Sequence, residues 1–131
     1  MSNKLILVIE DNEKNMKLVR DLLQYEGYKT LEADTAEEGL RLAGEYLPAL
    51  ILMDIGLPGI SGFEAFKRLR ASSVTAGIPV IAVTASVMTQ DHQKIIAAGF
   101  DGYQRKPIDI DEFLEAVRGT IERSRGERST E

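Results

Sequence analysis

The chain has no cysteine, only one histidine and no apolar run of membrane-spanning length. Without cysteine there is no disulfide, no thiol nucleophile and no cysteine-held zinc. The apolar run Leu5–Ile9 is far too short for a signal-peptide core or a bilayer span. Positive charge is also in deficit: 16 Lys and Arg against 21 Asp and Glu leave a net charge of -5. That balance argues against a nucleic-acid binder. The glycine-rich turn GLPGISG lacks the lysine of a Walker A loop, which excludes that mode of nucleotide binding. No repeat, linker or low-complexity block interrupts the 131 residues, a length that suits one domain able to bury roughly two-thirds of its unfolded surface.

What is present is an alternation. Short apolar runs read as strands at Leu5–Ile9, Tyr28–Ala33, Leu50–Met53, Pro79–Thr84 and Tyr103–Arg105. Amphipathic stretches between them read as helices at about Glu13–Glu26, Thr35–Tyr46, Ser61–Arg70 and Val87–Ala98, with a last helix opening at Asp109. Thr35 with Glu38, Ser61 with Glu64 and Asp109 with Glu112 have the spacing of capping boxes. Gly27 and Gly99 close helices. Val19, Leu22 and Leu23, Leu40 and Ala43, and Ile110, Phe113, Leu114, Val117 and Ile121 form the inward stripes. Strands alternating with helices predict an α/β fold, (βα)5, with a parallel sheet covered on both faces. The continuously apolar LILVI, LILM and VIAV fit that burial. Right-handed crossovers favour a flavodoxin-like strand order 2-1-3-4-5. Residues 1–122 then form the domain, and 123–131 are a polar C-terminal tail expected to fray.

In such a sheet, ligands bind at the carboxyl ends of the strands. Glu10 and Asp11 end the first strand, Asp54 the third, Thr84 the fourth and Lys106 the fifth. The expected order makes the first and third strands neighbours, so three carboxylates meet. They repel one another unless a cation intervenes. Mg²⁺, which takes oxygen ligands and commonly pairs one or two carboxylates with a phosphate, resolves that conflict. The set reads as a phosphoryl site, with Asp54 as carboxylate nucleophile, Lys106 as a second positive charge and Thr84 as a hydroxyl donor.

Each residue alone has a plainer reading. An aspartate after a strand is usually a turn or cap residue, a threonine there an N-cap, and a lone lysine a solvated charge. Paired acids often cap the following helix, and Asp11 is expected to serve both purposes. Their common position at one end of successive strands is what favours a site. His92, on the fourth helix without supporting residues, reads as exposed and not as a phosphoryl donor. Met53 and Met88 read as packing.

The segments IEDN (Ile9–Asn12), LMDIGLPGISG (Leu52–Gly62), VTA (Val83–Ala85) and YQRKP (Tyr103–Pro107) together resemble the receiver domains of two-component response regulators, and they span nearly the whole chain in order. The resemblance implies that Asp54 accepts phosphate from a histidine kinase or histidine phosphotransfer protein. It implies that Glu10, Asp11, Asp54 and the backbone carbonyl of Gly56 hold Mg²⁺, which Mn²⁺ can replace. Thr84 and Lys106 would contact the phosphoryl oxygens. Tyr103 would be the aromatic that changes rotamer, and the Lys106–Pro107 bond is a cis candidate. The output surface would be the fourth helix, fifth strand and fifth helix. Two departures stand out: Glu10 replaces the commoner aspartate, and Gly56 and Ser86 occupy positions that often carry larger polar groups thought to tune dephosphorylation.

Other classes fit less well. A haloacid-dehalogenase-type phosphatase needs a second aspartate two residues after the nucleophile, where this chain has Gly56. A flavin binder wants a Ser/Thr/Gly-rich loop after the first strand, where EDNEKN is acidic. A pseudo-receiver that only binds would not need the intact acceptor, acids, threonine and lysine. The expectation is a stand-alone cytoplasmic signalling protein, not an enzyme. It would be a monomer or a weak dimer formed on phosphorylation, with protein partners, no nucleic acid and no membrane.

Overall fold

The computed structural model describes residues 4–57, 59–86 and 88–129. Ten elements alternate: β1 (Leu5–Ile9), α1 (Glu13–Tyr25), β2 (Lys29–Ala33), α2 (Ala36–Tyr46), β3 (Leu50–Asp54), α3 (Gly62–Ala71), β4 (Val80–Thr84), α4 (Thr89–Ala98), β5 (Gly102–Arg105) and α5 (Ile110–Ser129). The strands form one parallel sheet in the order β2-β1-β3-β4-β5. This is the expected fold class and strand order.

The physical reason is visible strand by strand. Every residue of β3 and β4 is buried, as a strand covered on both faces must be. The edge strand β2 carries exposed Lys29 and Glu32, charges that discourage pairing with another chain. The helices start where their caps dictate: Thr35, Ser61 and Asp109 accept from the N–H groups of Glu38, Glu64 and Glu112 at 3.0–3.1 Å. The sheet separates two apolar cores. One lies under α2, α3 and α4 and includes Leu7, Met53, Phe66, Leu69, Ile95 and Phe100. The other lies under α1 and α5 and includes Val8, Met16, Leu23, Leu52 and Phe113.

Several positions differ from the sequence reading. Ile110 fits the helical stripe but is exposed, because it opens α5 ahead of the turn that reaches Phe113 and the core. Met88 is also exposed, since it is the N-cap of α4 and stands before its packed face; Met53 is fully buried. Asn12, not Asp11, caps α1, accepting from the Asn15 N–H at 3.0 Å. The helical path of α5 continues beyond Ile121 to Ser129. Pro58 in the turn after β3, Val87 at the expected start of α4, and residues 130 and 131 of the polar segment lie outside the described residues.

Candidate phosphoryl site at the carboxyl edge of the sheet

The sheet register assembles the site. Ile9 of β1 stands opposite Met53 of β3, so the next residue on each strand, Glu10 and Asp54, emerge side by side. Thr84 ends β4 opposite Arg105 of β5, and Lys106 follows. Its N–H donates to the Thr84 carbonyl at 2.8 Å, and the Lys106–Pro107 peptide bond is cis.

Asp54 is buried to 6 % exposure, yet both carboxylate oxygens are held. The Gly56 N–H donates to Oδ1 at 2.8 Å, and Lys106 Nζ donates to Oδ2 at 2.9 Å. An apolar strand can end in this charge because the carboxylate gives up water but gains a backbone donor and an ammonium group. Lys106 Nζ also lies 3.1 Å from Glu10 Oε1, and Glu10 Oε2 accepts from the Asn12 N–H at 3.1 Å. Asp11 is exposed beside them.

The electrostatics follow. Burial, and then the adjoining Asp54 carboxyl, push the Glu10 carboxyl above its ordinary range, with Lys106 and the Asn12 N–H opposing. For Lys106, burial works against the charged form but is outweighed by hydrogen bonds and charge from Asp54 and Glu10, so the ammonium is held above its usual range. Glu10, Asp11 and Asp54 each offer a carboxylate oxygen, and these lie within 4.8 Å of one another, close enough to hold a metal ion. All three donors are hard oxygens. That set suits Mg²⁺ or Mn²⁺ and not a soft metal. Beside the acids an open cleft of about 830 Å³ between α1 and α2 gives access from solvent.

The remaining sequence-read residues take distinct places. Thr84 is buried, its Oγ1 accepting from the Ser86 N–H at 3.1 Å. Gly56 lies against Asp54, and a side chain there would begin 3.6 Å from Oδ1. Tyr103 is half-buried on β5. His92 is not simply exposed: its ring stacks on Tyr103 with centroids 4.5 Å apart, and Nε2 lies 2.9 Å from the Ser86 carbonyl. Ser86 was legible only as a small residue. In the structure it ties the loop to α4, its Oγ donating to Asp91 at 2.6 Å and accepting from the Met88 N–H at 3.1 Å. The available signal was a helix start at Met88 that cannot cap itself, with a serine two residues earlier and an aspartate in the first turn.

The family model for the response regulator receiver domain matches residues 6–118. The chain belongs to this family. As a receiver it is the signal-accepting domain of two-component signalling. It is 45 % identical over 118 residues to the polar-differentiation response regulator DivK of Brucella ovis, covering 90 % of this chain and 96 % of that one, and equally to DivK of Brucella abortus strain 2308. The CheY-like response regulator receiver domain protein of Methanospirillum hungatei superposes with a TM-score of 0.87 at 28 % identity, covering 96 % and 99 % of the two chains. The receiver domain of sensor histidine kinase PA1611 of Pseudomonas aeruginosa superposes with a TM-score of 0.84 at 28 % identity, covering 92 % and 98 %; it was crystallised with a magnesium ion coordinated in its active-site cleft. Among the described residues, no helix of this receiver is long and apolar enough to cross a membrane.

Proposed function

We propose that Asp54 accepts a phosphoryl group from the phosphohistidine of a histidine kinase or phosphotransfer protein. The carrying observation is its carboxylate, buried but held by the Gly56 N–H and Lys106 beside two further acids. An Asp54 oxygen forms a bond to phosphorus as the phosphorus–nitrogen bond breaks, and the imidazole leaves with that electron pair. Such transfers need positioning and charge stabilisation more than covalent assistance. The Gly56 N–H and Lys106 orient the carboxylate. Lys106 then offsets the added negative charge, and the Thr84 hydroxyl donates to a phosphoryl oxygen. Glu10, Asp11, Asp54 and the Gly56 carbonyl would hold Mg²⁺ or Mn²⁺, which would supply neutralising charge for the phosphoryl oxygens.

The receiver acts as a signalling protein that is phosphorylated once per event, not as a turnover enzyme. It assists its own phosphorylation and dephosphorylation. Residues 1–122 carry this function and 123–131 are a polar extension. The phosphorylated form presents α4, β5 and α5 to a downstream protein, with Tyr103 as the moving aromatic; exposed Met88, Ile96 and Ile110 give that face apolar anchors. It works in the cytoplasm, as a monomer or a weak phosphorylation-dependent dimer, without nucleic acid or membrane.

The test is incubation with acetyl phosphate and Mg²⁺, read by intact mass. One phosphate is expected on the wild type and none on Asp54→Asn. Equal labelling of that variant removes the assignment.

A further inference from the structure

Ser86 has both of its main-chain polar groups engaged by side chains that lead in opposite directions. Its N–H donates to Thr84 Oγ1 at the phosphoryl site, and its carbonyl lies 2.9 Å from His92 Nε2 on α4. A carbonyl can only accept, so Nε2 carries the proton and donates. The other side of that imidazole is spoken for by a ring: it stacks on Tyr103 at 4.5 Å with 27° between the planes. A continuous path therefore runs from Thr84 through the Ser86 backbone and His92 to Tyr103. Asp91 reinforces it, because its carboxylate accepts from Ser86 Oγ and holds the same serine against the first turn of α4.

We propose that His92 is a positioning residue that couples the Thr84 hydroxyl to the Tyr103 ring. This rests on the reading of Asp54 as the phosphoacceptor. When Thr84 turns toward a phosphoryl group on Asp54, the Ser86 N–H loses its acceptor or follows it. Either outcome displaces the Ser86 carbonyl, which is the acceptor that sets the angle of the imidazole. The imidazole in turn is the surface on which Tyr103 rests. His92 thus biases the two-state element, Tyr103, from the same contacts that the phosphoryl group perturbs, and a coupling needs such differential contacts. Thr89, Gln93, Ile96 and Ala97 line the shallow groove of about 470 Å³ around this ring pair, so the stacked pair forms part of the surface a partner meets.

Two variants separate the links. His92→Phe keeps a ring for stacking but loses the donor to Ser86; His92→Gln keeps an N–H donor but loses the ring. The chain has four tyrosines, so protein labelled with 3-fluorotyrosine gives four ¹⁹F resonances, and Tyr103→Phe assigns the one needed. Spectra are recorded with Mg²⁺, with and without beryllofluoride, whose own bound ¹⁹F signal reports occupancy of Asp54. In the wild type the Tyr103 resonance moves on beryllofluoride binding. In both variants the ratio of switched to unswitched Tyr103 at saturation falls about 5-fold or more, the lower range of typical coupling, while the bound beryllofluoride signal persists. An unchanged Tyr103 response in both variants, with beryllofluoride bound, overturns the relay; so does loss in only one of them, because the path needs both links. A wild type that binds no beryllofluoride overturns the phosphoacceptor reading, and the relay with it.

Discussion

Lys106 Nζ donates to Asp54 Oδ2 at 2.9 Å although the residues are 52 positions apart, Asp54 ending β3 and Lys106 following β5, strands that are not neighbours. The lysine reaches past the end of β4 and meets Glu10 as well. Its side chain is 19 % exposed and the two carboxylates are nearly buried, so this is an interior ion cluster.

Removing the lysine leaves two buried acids facing each other. Lys106→Ala is expected to cost about 3 kcal/mol in the absence of divalent cation, the lower end for breaking a buried pair. Mg²⁺ should recover part of the loss. Urea unfolding with and without Mg²⁺ measures both. A cost under about 1 kcal/mol would mean the cluster behaves as a solvated surface pair.

Glu10, as a proposed cation ligand, is expected to make cation binding depend on pH. Its folded-state pKa lies above the ordinary 4.5, so the folded protein holds this proton more tightly than the unfolded chain does. The stability it contributes is fully present below 4.5 and is lost as pH rises through the raised value. A metal ion needs the deprotonated form, so apparent Mg²⁺ affinity should rise across that same interval and level off above it. Isothermal titration at several pH values checks this, and Glu10→Gln should flatten the dependence on this group. Binding to the native state alone adds about 2.7 kcal/mol at a hundredfold excess over Kd. The melting temperature should therefore climb with Mg²⁺, and Asp11→Ala should blunt the rise.

Gly62 lets the loop after Asp54 fold back on its own strand. A Cβ there would stand 2.9 Å from the Ile55 Cα and 3.1 Å from the Asp54 carbonyl oxygen, both main-chain atoms that cannot swing aside. Gly62→Ala is expected to cost about 1–3 kcal/mol through overpacking, seen as a lower urea midpoint. It should also slow labelling by acetyl phosphate, because the strain falls on the backbone that carries Asp54, the proposed acceptor. Full stability in the variant would mean that the loop relaxes without effort.

Tyr103 is expected to carry the output. Beryllofluoride should change affinity for a downstream protein about 5-fold or more, and Tyr103→Ala should shrink that change. Surface plasmon resonance on both proteins decides it; an equal effect in the two would take Tyr103 out of the switch.

The sequence made the acidic end of the molecule legible because it depends on strand order. Once β1 and β3 are neighbours, Glu10 must emerge beside Asp54, and no side-chain detail is needed. Helix starts were legible for the same kind of reason, since Thr35, Ser61 and Asp109 act on N–H groups only three residues away. What periodicity could not reveal was which stripe residues lie ahead of the packed face. Ile110 sits at the right spacing, and Met88 has a packing side chain, but both stand at helix entrances, where the chain has not yet reached the core. The surroundings of His92 were also hidden. Its partners, Ser86 and Tyr103, come from a loop and another strand, and no local pattern announces a contact of that kind. Asp11 yielded the cap of α1 to Asn12 because the cap sits one residue nearer the helix.

The sheet is also a partition. The apolar residues under α2, α3 and α4 and those under α1 and α5 form separate clusters, and Tyr103 packs with the first. Substitutions far apart and without shared partners add within about 0.3–0.5 kcal/mol. Changes to Met16, Val19 or Phe113 should therefore sum with changes to Phe66, Ile95 or Phe100 in a double-mutant cycle. The interior behind α1 can drift in composition while the side that holds Tyr103, the proposed switch, keeps its tuning. The proposed output face is where the two regimes meet, because α4 belongs to one compartment and α5 to the other.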